Sequence, residues 1–280
     1  MRSSNLDTFL QNALQEDIGN GDHSSLAVIP NHAIGKSVLL AKETGILAGV
    51  RIVLRLFEIF SQDLKAEVLI HDGANIKPGD HILYLKGPSL HILQVERLAL
   101  NILQRMSGIA TVTNRYVKIL EGTKAKILDT RKTTPNMRLL EKEAVKIGGG
   151  ENHRMGLYDM VMLKDNHLDF AGGIEKAINM IHKYLNSNNL KLAIEIEVRD
   201  FEELNEVLKI GRVDRIMLDN FSPEETSEAV QLISGKFEIE SSGGINLDTI
   251  RDYALTGVDF ISVGALTHQI MSLDLSLKAI

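Results

Sequence analysis

Leu6, Phe9, Leu10 and Leu14 recur at helical spacing, so the apolar pattern predicts an opening helix over Leu6–Glu16. Strand-like segments follow at Ser37–Lys42, Ala66–Ile70 and Asp80–Leu85, with Lys77-Pro78-Gly79-Asp80 as a turn before the last. Between the first two, Val50–Phe60 reads as an amphipathic helix. Pro88 and Ser89 introduce a long helical stretch, Leu90–Leu103, carrying Val95, Leu98, Ala99 and Ile102. Strands grouped together rather than alternating with helices predict a small α+β domain over residues 1–110.

After Thr111 the rhythm becomes regular. Short apolar runs at Lys126–Leu128, Met160–Leu163, Leu192–Val198, Arg215–Leu218, Phe237–Glu240 and Phe260–Val263 predict strands. Helix-like segments at Arg138–Val145, Ile174–Leu185, Phe201–Leu208, Pro223–Ile233 and Leu247–Leu255 separate them. Ser222 and Pro223 form a good N-cap and first-turn pair, and Asn246 is a candidate cap for the helix after it. This alternation implies a parallel sheet, and without a dinucleotide-binding GxGxxG after the first strand it favours a barrel over a doubly wound sheet. Six strands imply a barrel that is incomplete or that hides one further strand. The second domain is expected over residues 111–280, with the extreme C-terminus a candidate to return to the first.

Composition narrows the function. Hydrophobic residues make up 44% and charged residues 24% of the 280, as in an ordinary globular protein. There is no cysteine, which excludes disulfides, thiolate metal sites and a cysteine nucleophile. The opening residues lack the apolar core of a secretory signal, and no run nears 18 apolar residues, so a cytoplasmic protein without a membrane span is expected. A net charge of −6 with 5% aromatics argues against broad nucleic-acid binding. It leaves room for an anionic small molecule, which needs only a few convergent cations.

In a (β/α) barrel the active site is built where strands end and loops begin. The six strand ends read Asp129-Thr130-Arg131-Lys132, Lys164-Asp165-Asn166-His167, Glu195 with Glu197, Asp219-Asn220, Ser242-Gly243-Gly244, and Val263-Gly264-Ala265. Every end delivers a charged group or a small glycine loop. Each has a plainer alternative: Arg131 and Lys132 as a solvated pair, Lys164 as a surface lysine, the carboxylates as an outward face. Glu195 and Glu197 share one face of their strand, and carboxylates turned into a barrel are costly unless they meet cations, a metal or a cationic reaction centre. Gly243 and Gly244 let backbone N–H groups approach an anion. Gly148-Gly149-Gly150 before His153 and Arg154 reads equally as a simple flexible loop or as a mobile loop bringing both to the rim. Cations, carboxylates and a phosphate cradle together suit displacement at a ribosyl C1 carbon. A carboxylate about 4 Å from the developing cation is worth about 4 kcal/mol at an effective dielectric of ~20, or about three decades of rate.

Several stretches then resemble quinolinate phosphoribosyltransferases: EDIGNGD (16–22), Glu96-Arg97 through SGIAT (107–111), DTRKTTP (129–135), GGGENHRMGLYD (148–159), MLKDNH (162–167), IEIEV (194–198), MLDN (217–220), ESSGGI (240–245) and VGALTH (263–268). They span nearly the whole chain in the family's order. The resemblance implies an α/β class fold, an incomplete (β/α) barrel behind an N-terminal α+β sandwich-like domain, and a homodimer in which one subunit's N-terminal domain caps the other's barrel. It implies that Arg97 reaches the partner's site, and that Arg131, His153, Arg154 and Lys164 surround the quinolinate carboxylates. Thr130 joins the substrate-binding set. Lys132, Glu197 and Asp219 become the catalytic group beside phosphoribosyl pyrophosphate, with Glu197 and Asp219 as ligands of Mg2+. Ser242, Gly243, Gly244, Val263, Gly264 and Ala265 match the 5′-phosphate site. Family members often read Thr-Thr-Pro-Gly-Leu-Arg where Asn136-Met137 follow Pro135 here, and often carry threonine at His23. Three other readings stay open: a Schiff-base aldolase using Lys164, a barrel relative with a changed substrate, and a non-catalytic binding protein.

Overall fold

The computed structural model describes residues 3–280, with side chains from Leu6 onward. It divides into two compact units, one holding the residues up to Asn114 with 133–149 and 269–280, the other 115–132 with 150–268. No helix among the described residues is long and apolar enough to cross a membrane.

In the first unit, α1 (Ser3–Ile18) buries Leu6, Leu10 and Leu14, the stripe that its spacing predicts. After α2 (His23–Val28) come β1 (Ile34–Ala41), β2 (Gly45–Ile46), α3 (Val50–Phe60), β3 (Lys65–Val68), β4 (Asn75–Ile76) and β5 (His81–Pro88). The helix α3 spans the residues its pattern predicts and buries Ile52, Val53, Leu56 and Phe57. The main sheet is antiparallel, in the order β12–β1–β5–β3, where β12 is Leu275–Ala279. The strands β2 and β4 pair separately. The sequence pattern shows neither of these short strands, nor β12 or α2.

The helix α4 (Ser89–Ile119) runs 31 residues, far beyond the predicted Leu90–Leu103. Ser107, Gly108 and Thr111 look like breakers but serve tertiary contacts. The Ser107 hydroxyl accepts the N–H of Ala48 at 2.9 Å, and Thr111 accepts that of Ile46 at 2.9 Å. A Cβ on Gly108 would stand 2.3 Å from the Met271 carbonyl, so glycine permits the close approach. The helix α5 (Arg138–Ile147) packs with this unit. Buried Glu141 pairs with Arg105 at 2.6 Å and accepts the Thr134 N–H at 3.1 Å. Asn136 sits at φ 64°, in the left-handed region that glycine and asparagine tolerate best.

The second unit is a six-stranded parallel sheet of β6 (Lys126–Leu128), β7 (Val161–Leu163), β8 (Ile194–Val198), β9 (Arg215–Asp219), β10 (Glu238–Ser242) and β11 (Phe260–Ser262), in the order β6–β11–β10–β9–β8–β7. It is the sheet of an incomplete barrel, with β6 and β7 at its two ends. A single parallel bridge, Leu128 with Glu151, lies on the free edge of β6. The helices α6 (Asp165–Ala171), α7 (Ile174–Ser187), α8 (Phe201–Ile210), α9 (Pro223–Ile233), α10 (Ile250–Leu255) and α11 (Ala265–His268) connect the strands. Ser222 and Glu225 close a capping box at the start of α9, at 3.2 and 2.8 Å. Asn246 caps a turn instead of a helix: its side chain accepts the N–H of Asp248 at 2.9 Å, and α10 begins only at Ile250.

Strand register sorts the side chains. On one face Ile194, Ile196, Val198, Ile216, Leu218, Ile239 and Ile261 are buried and apolar. On the other face Met162, Glu195, Arg215 and Glu238 form one level, and Glu197, Met217, Glu240 and Phe260 the next. The period of two within each strand thus puts these charged side chains on one face of the sheet, with Glu195, Glu197 and Glu240 buried there.

Candidate active site

A cavity of about 660 Å³ opens where the parallel strands end. Thr130, Arg131 and Lys132 reach it after β6, and Lys164 after β7. Glu197 comes from β8, Asp219 from the last position of β9, and Ser242, Gly243 and Gly244 follow in β10 and its loop. Val263 and Gly264 complete the ring after β11, with His153 and Arg154 between β6 and β7. Two sequence candidates lie elsewhere. Arg97 is exposed on α4 in the first unit, and Ala265 opens α11 just past the lining residues. Met162, Met217, Asn220, Ile245 and Ser262 also line the cavity. Met162 and Met217 share the register levels of Glu195 and Glu197, so strand alignment identifies them where motif reading does not.

The cavity also carries two carboxylates, Glu197 and Asp219. Lys164 forms an ion pair with Glu197. Burial raises the Asp219 carboxyl above its usual range, against the opposing charge of Lys164 and the Asn220 amide at 2.7 Å. Arg154 is half-buried, and burial together with the charge of Arg131 lowers its pKa. Two guanidinium groups therefore face one space, an arrangement that favours an anion of more than one charge. Lys132 is held through its main chain: its N–H donates to Thr130 Oγ1 at 3.0 Å, and its carbonyl accepts from Thr267 Oγ1 at 2.7 Å.

The β10 loop is shaped by its glycines. Gly243 has φ 100° and Gly244 φ 63°, both in the left-handed region. A Cβ on Gly243 would fall 2.1 Å from the Asn220 side chain, while one on Gly244 would meet open space. Asn220, itself at φ 59°, locks the two loops together by donating its N–H to the Ser242 carbonyl at 2.9 Å. Backbone amides in left-handed turns make anion-binding concavities.

His153 touches the cavity but presents little of its ring to it. Its side chain is 5% exposed, with Nε2 at 2.9 Å from Glu195 and 3.4 Å from Glu240. Arg215 supports Glu240 at 3.1 Å while its guanidinium lies 4.0 Å from the centre of the Phe260 ring. The segment is pinned, which departs from both the flexible-loop and the mobile-loop readings of Gly148–Gly150. Asp129 accepts the His153 N–H at 2.9 Å, and Gly148 is the C-cap of α5. Burial disfavours charge on the His153 ring, whereas the carboxylates of Glu195 and Glu240 beside it favour charge there. Burial and the charge of Glu240 push Glu195 up to about 7, whereas the same histidine draws Glu240 below its usual value despite burial. The Arg154 N–H donates to His153 Nδ1 at 2.7 Å, and a doubly protonated ring has no lone pair there. The ring thus keeps its proton on Nε2, and the further proton of the cluster is shared among the carboxylates. The donor atoms of His153, Glu195 and Glu240 lie within 4.8 Å of one another. Arg215 and the ring N–H already balance these carboxylates, so the group reads as an ion-pair network.

Residues 22–107 match the model of the quinolinate phosphoribosyl transferase N-terminal domain, and residues 109–278 that of its C-terminal domain. The chain is 43% identical to the mitochondrial, decarboxylating quinolinate phosphoribosyltransferase 2 of Nicotiana glauca, covering 96% of this chain and 80% of the relative. It is 39% identical to the probable nicotinate-nucleotide pyrophosphorylase (carboxylating) of Bacillus subtilis, covering 99% and 94%. The crystal structure of NadC from Streptococcus pyogenes superposes with a TM-score of 0.93 at 40% identity, covering 100% of this chain and 99% of that one. With both domains matched and relatives this similar along nearly its whole length, the chain belongs to the quinolinate phosphoribosyltransferase family.

Proposed function

We propose that the protein transfers the 5-phosphoribosyl group from phosphoribosyl pyrophosphate to quinolinate with decarboxylation, giving nicotinate mononucleotide, pyrophosphate and carbon dioxide in de novo NAD biosynthesis. The observation that carries this reading is one cavity holding a cationic wall, a pair of carboxylates and a glycine cradle. Arg131, Arg154 and Lys164 bind the two carboxylates of quinolinate, bidentate guanidinium geometry suiting a planar dianion. Ser242, Gly243 and Gly244, with Val263, Gly264 and Ala265, hold the 5′-phosphate, and Thr130 fixes the Lys132 main chain.

The ring nitrogen of quinolinate attacks ribosyl C1 as the C1–O bond to pyrophosphate breaks. Glu197 and Asp219 face the oxocarbenium-like transition state, and Lys132 meets the leaving group's negative charge. The nitrogen, now quaternary and positive, stabilises the electron pair left on C2 when the C2–carboxylate bond breaks and carbon dioxide leaves, and that pair then takes up a proton. Glu197 and Asp219 offer hard oxygen donors of the type Mg2+ takes, so they would hold the ion, which would neutralise pyrophosphate charge. An aldolase reading is disfavoured because Lys164 Nζ sits beside the Glu197 carboxylate, not in the apolar surroundings that activate an amine nucleophile.

A homodimer belongs to the same proposal. Arg97 is exposed and absent from the cavity lining, as expected of a side chain meant for a second copy. Residues 1–110 are then the cap and 111–280 the catalytic part, and the location is the cytoplasm, to be checked by cell fractionation. The deciding experiment incubates the purified protein with quinolinate, phosphoribosyl pyrophosphate and Mg2+, with nicotinate as the control. Nicotinate mononucleotide and carbon dioxide from quinolinate alone are expected. A folded dimer that forms neither would overturn the reading.

A further inference from the structure

We propose that Asp129, Glu195 and Glu240 are positioning residues that fix the Asn152-His153-Arg154 turn from beneath. His153 then acts as a bracket between the sheet interior and the Arg154 main chain, not as a ligand of the substrate. The inference rests on the quinolinate reading only for the substrate that Arg154 meets.

Both ring nitrogens of His153 have protein partners. Nε2 stands 2.9 Å from Glu195, and Nδ1 accepts the Arg154 N–H at 2.7 Å. An imidazole has no third nitrogen to give to a ligand. Asp129 is fully buried and uses both oxygens on the same turn: Oδ1 accepts the His153 N–H at 2.9 Å, and Oδ2 accepts the Asn152 amide at 2.5 Å. Glu195 and Glu240 are also fully buried, and neither lines the cavity. Burying charges without gain in binding is costly, so their placement calls for a role. Arg215, ion-paired to Glu240 and stacked on Phe260, gives the group a rigid base.

That role is mechanical. Arg154 is held close enough to Arg131 for the charge of one to depress the pKa of the other. Two guanidinium groups repel until the dianion arrives, and an unpinned turn would relax away from the site. Anchoring the main chain on both sides of His153 keeps the pair in place beforehand, which lowers the reorganisation needed on binding.

The test compares Glu195→Gln, whose amide oxygen can still accept the ring N–H, with Glu195→Leu, which cannot. The leucine variant is expected to raise KM for quinolinate about tenfold or more, with KM for phosphoribosyl pyrophosphate changed by less than about twofold. The glutamine variant should recover most of the loss. A general structural defect would instead move both KM values together in both variants, and that result would overturn the proposal. Because Glu195→Leu could fail to fold, histidine-selective 15N NMR of the wild type at neutral pH provides the second readout, with the His153→Asn variant assigning the signal. Nε2 protonated and Nδ1 bare supports the bracket; a protonated Nδ1 sinks it. The NMR result needs no substrate, so it stands apart from the product assay that tests the quinolinate reading.

Discussion

Gly243 and Gly244 are neighbours with different reasons to be glycine. Gly243 combines φ 100° with a Cβ position blocked by Asn220, whereas Gly244 has only its φ of 63° against it. Gly243→Ala is therefore expected to cost about 2–3 kcal/mol and Gly244→Ala about 1–2 kcal/mol, ranked by urea unfolding. Equal losses would mean that the Asn220 contact relaxes freely. On the cationic wall, Arg131→Ala removes charge-assisted bonds worth about 1.5–3 kcal/mol, so KM for quinolinate should rise roughly 10- to 100-fold while that for phosphoribosyl pyrophosphate holds. An unchanged response to quinolinate would show that the dicarboxylate pocket lies elsewhere. Most lining residues were readable from sequence because strand ends announce themselves as apolar runs stopping at charged or glycine residues. His153 was readable as a site residue but not as an inward-facing one. Its orientation depends on Glu195 and Glu240, distant in sequence and brought to it by strand alignment.

Among the elements, the strands of the second unit fall close to their predicted places, since each is an apolar run bounded by polar turns. The failures have a common cause. In α4, Ser107, Gly108 and Thr111 read as helix breakers, but they are spent on contacts to Ala48, Met271 and Ile46 that local sequence does not reveal. The short helix α6 hides inside a charged motif, and β2, β4 and β12 are too short or too mixed to show a period. Two element-level predictions follow from the caps and turns. Ser222→Ala opens the capping box of α9 and should lower stability by about 1 kcal/mol. Asn136→Val forces a β-branched residue to φ 64° and should cost at least about 1–2 kcal/mol, while Asn136→Gly should be nearly neutral. Both are read from denaturant midpoints.

Across the whole molecule, the buried cluster makes stability depend on pH. Glu195 is held up to about 7 from 4.5, so the folded state binds its proton more tightly than the unfolded chain. Its share of the stability is full below about pH 4.5 and is lost as pH rises through about 7. The urea midpoint should thus fall between about pH 5 and about 8, and fall less in Glu240→Gln. A flat profile would mean that the cluster carries no extra proton. The proposed dimer has its own test: mixing Arg97→Ala with Arg131→Ala subunits leaves each hybrid one intact site, so two proteins impaired at low quinolinate should together recover about a quarter of full activity there. Subunits that exchange without recovery would show that Arg97 does not serve a partner. One further consequence lies in β12, which lines up against β1 from Ser37 to Ala41 although it follows the whole second unit in the chain. During synthesis, the first sheet leaves the ribosome with β1 bare along one edge, and the strand that covers it is made only after the whole second unit. Until then the nascent chain carries an open ladder that another nascent chain can join, so the time taken to make the second unit sets how long the protein is exposed to that error.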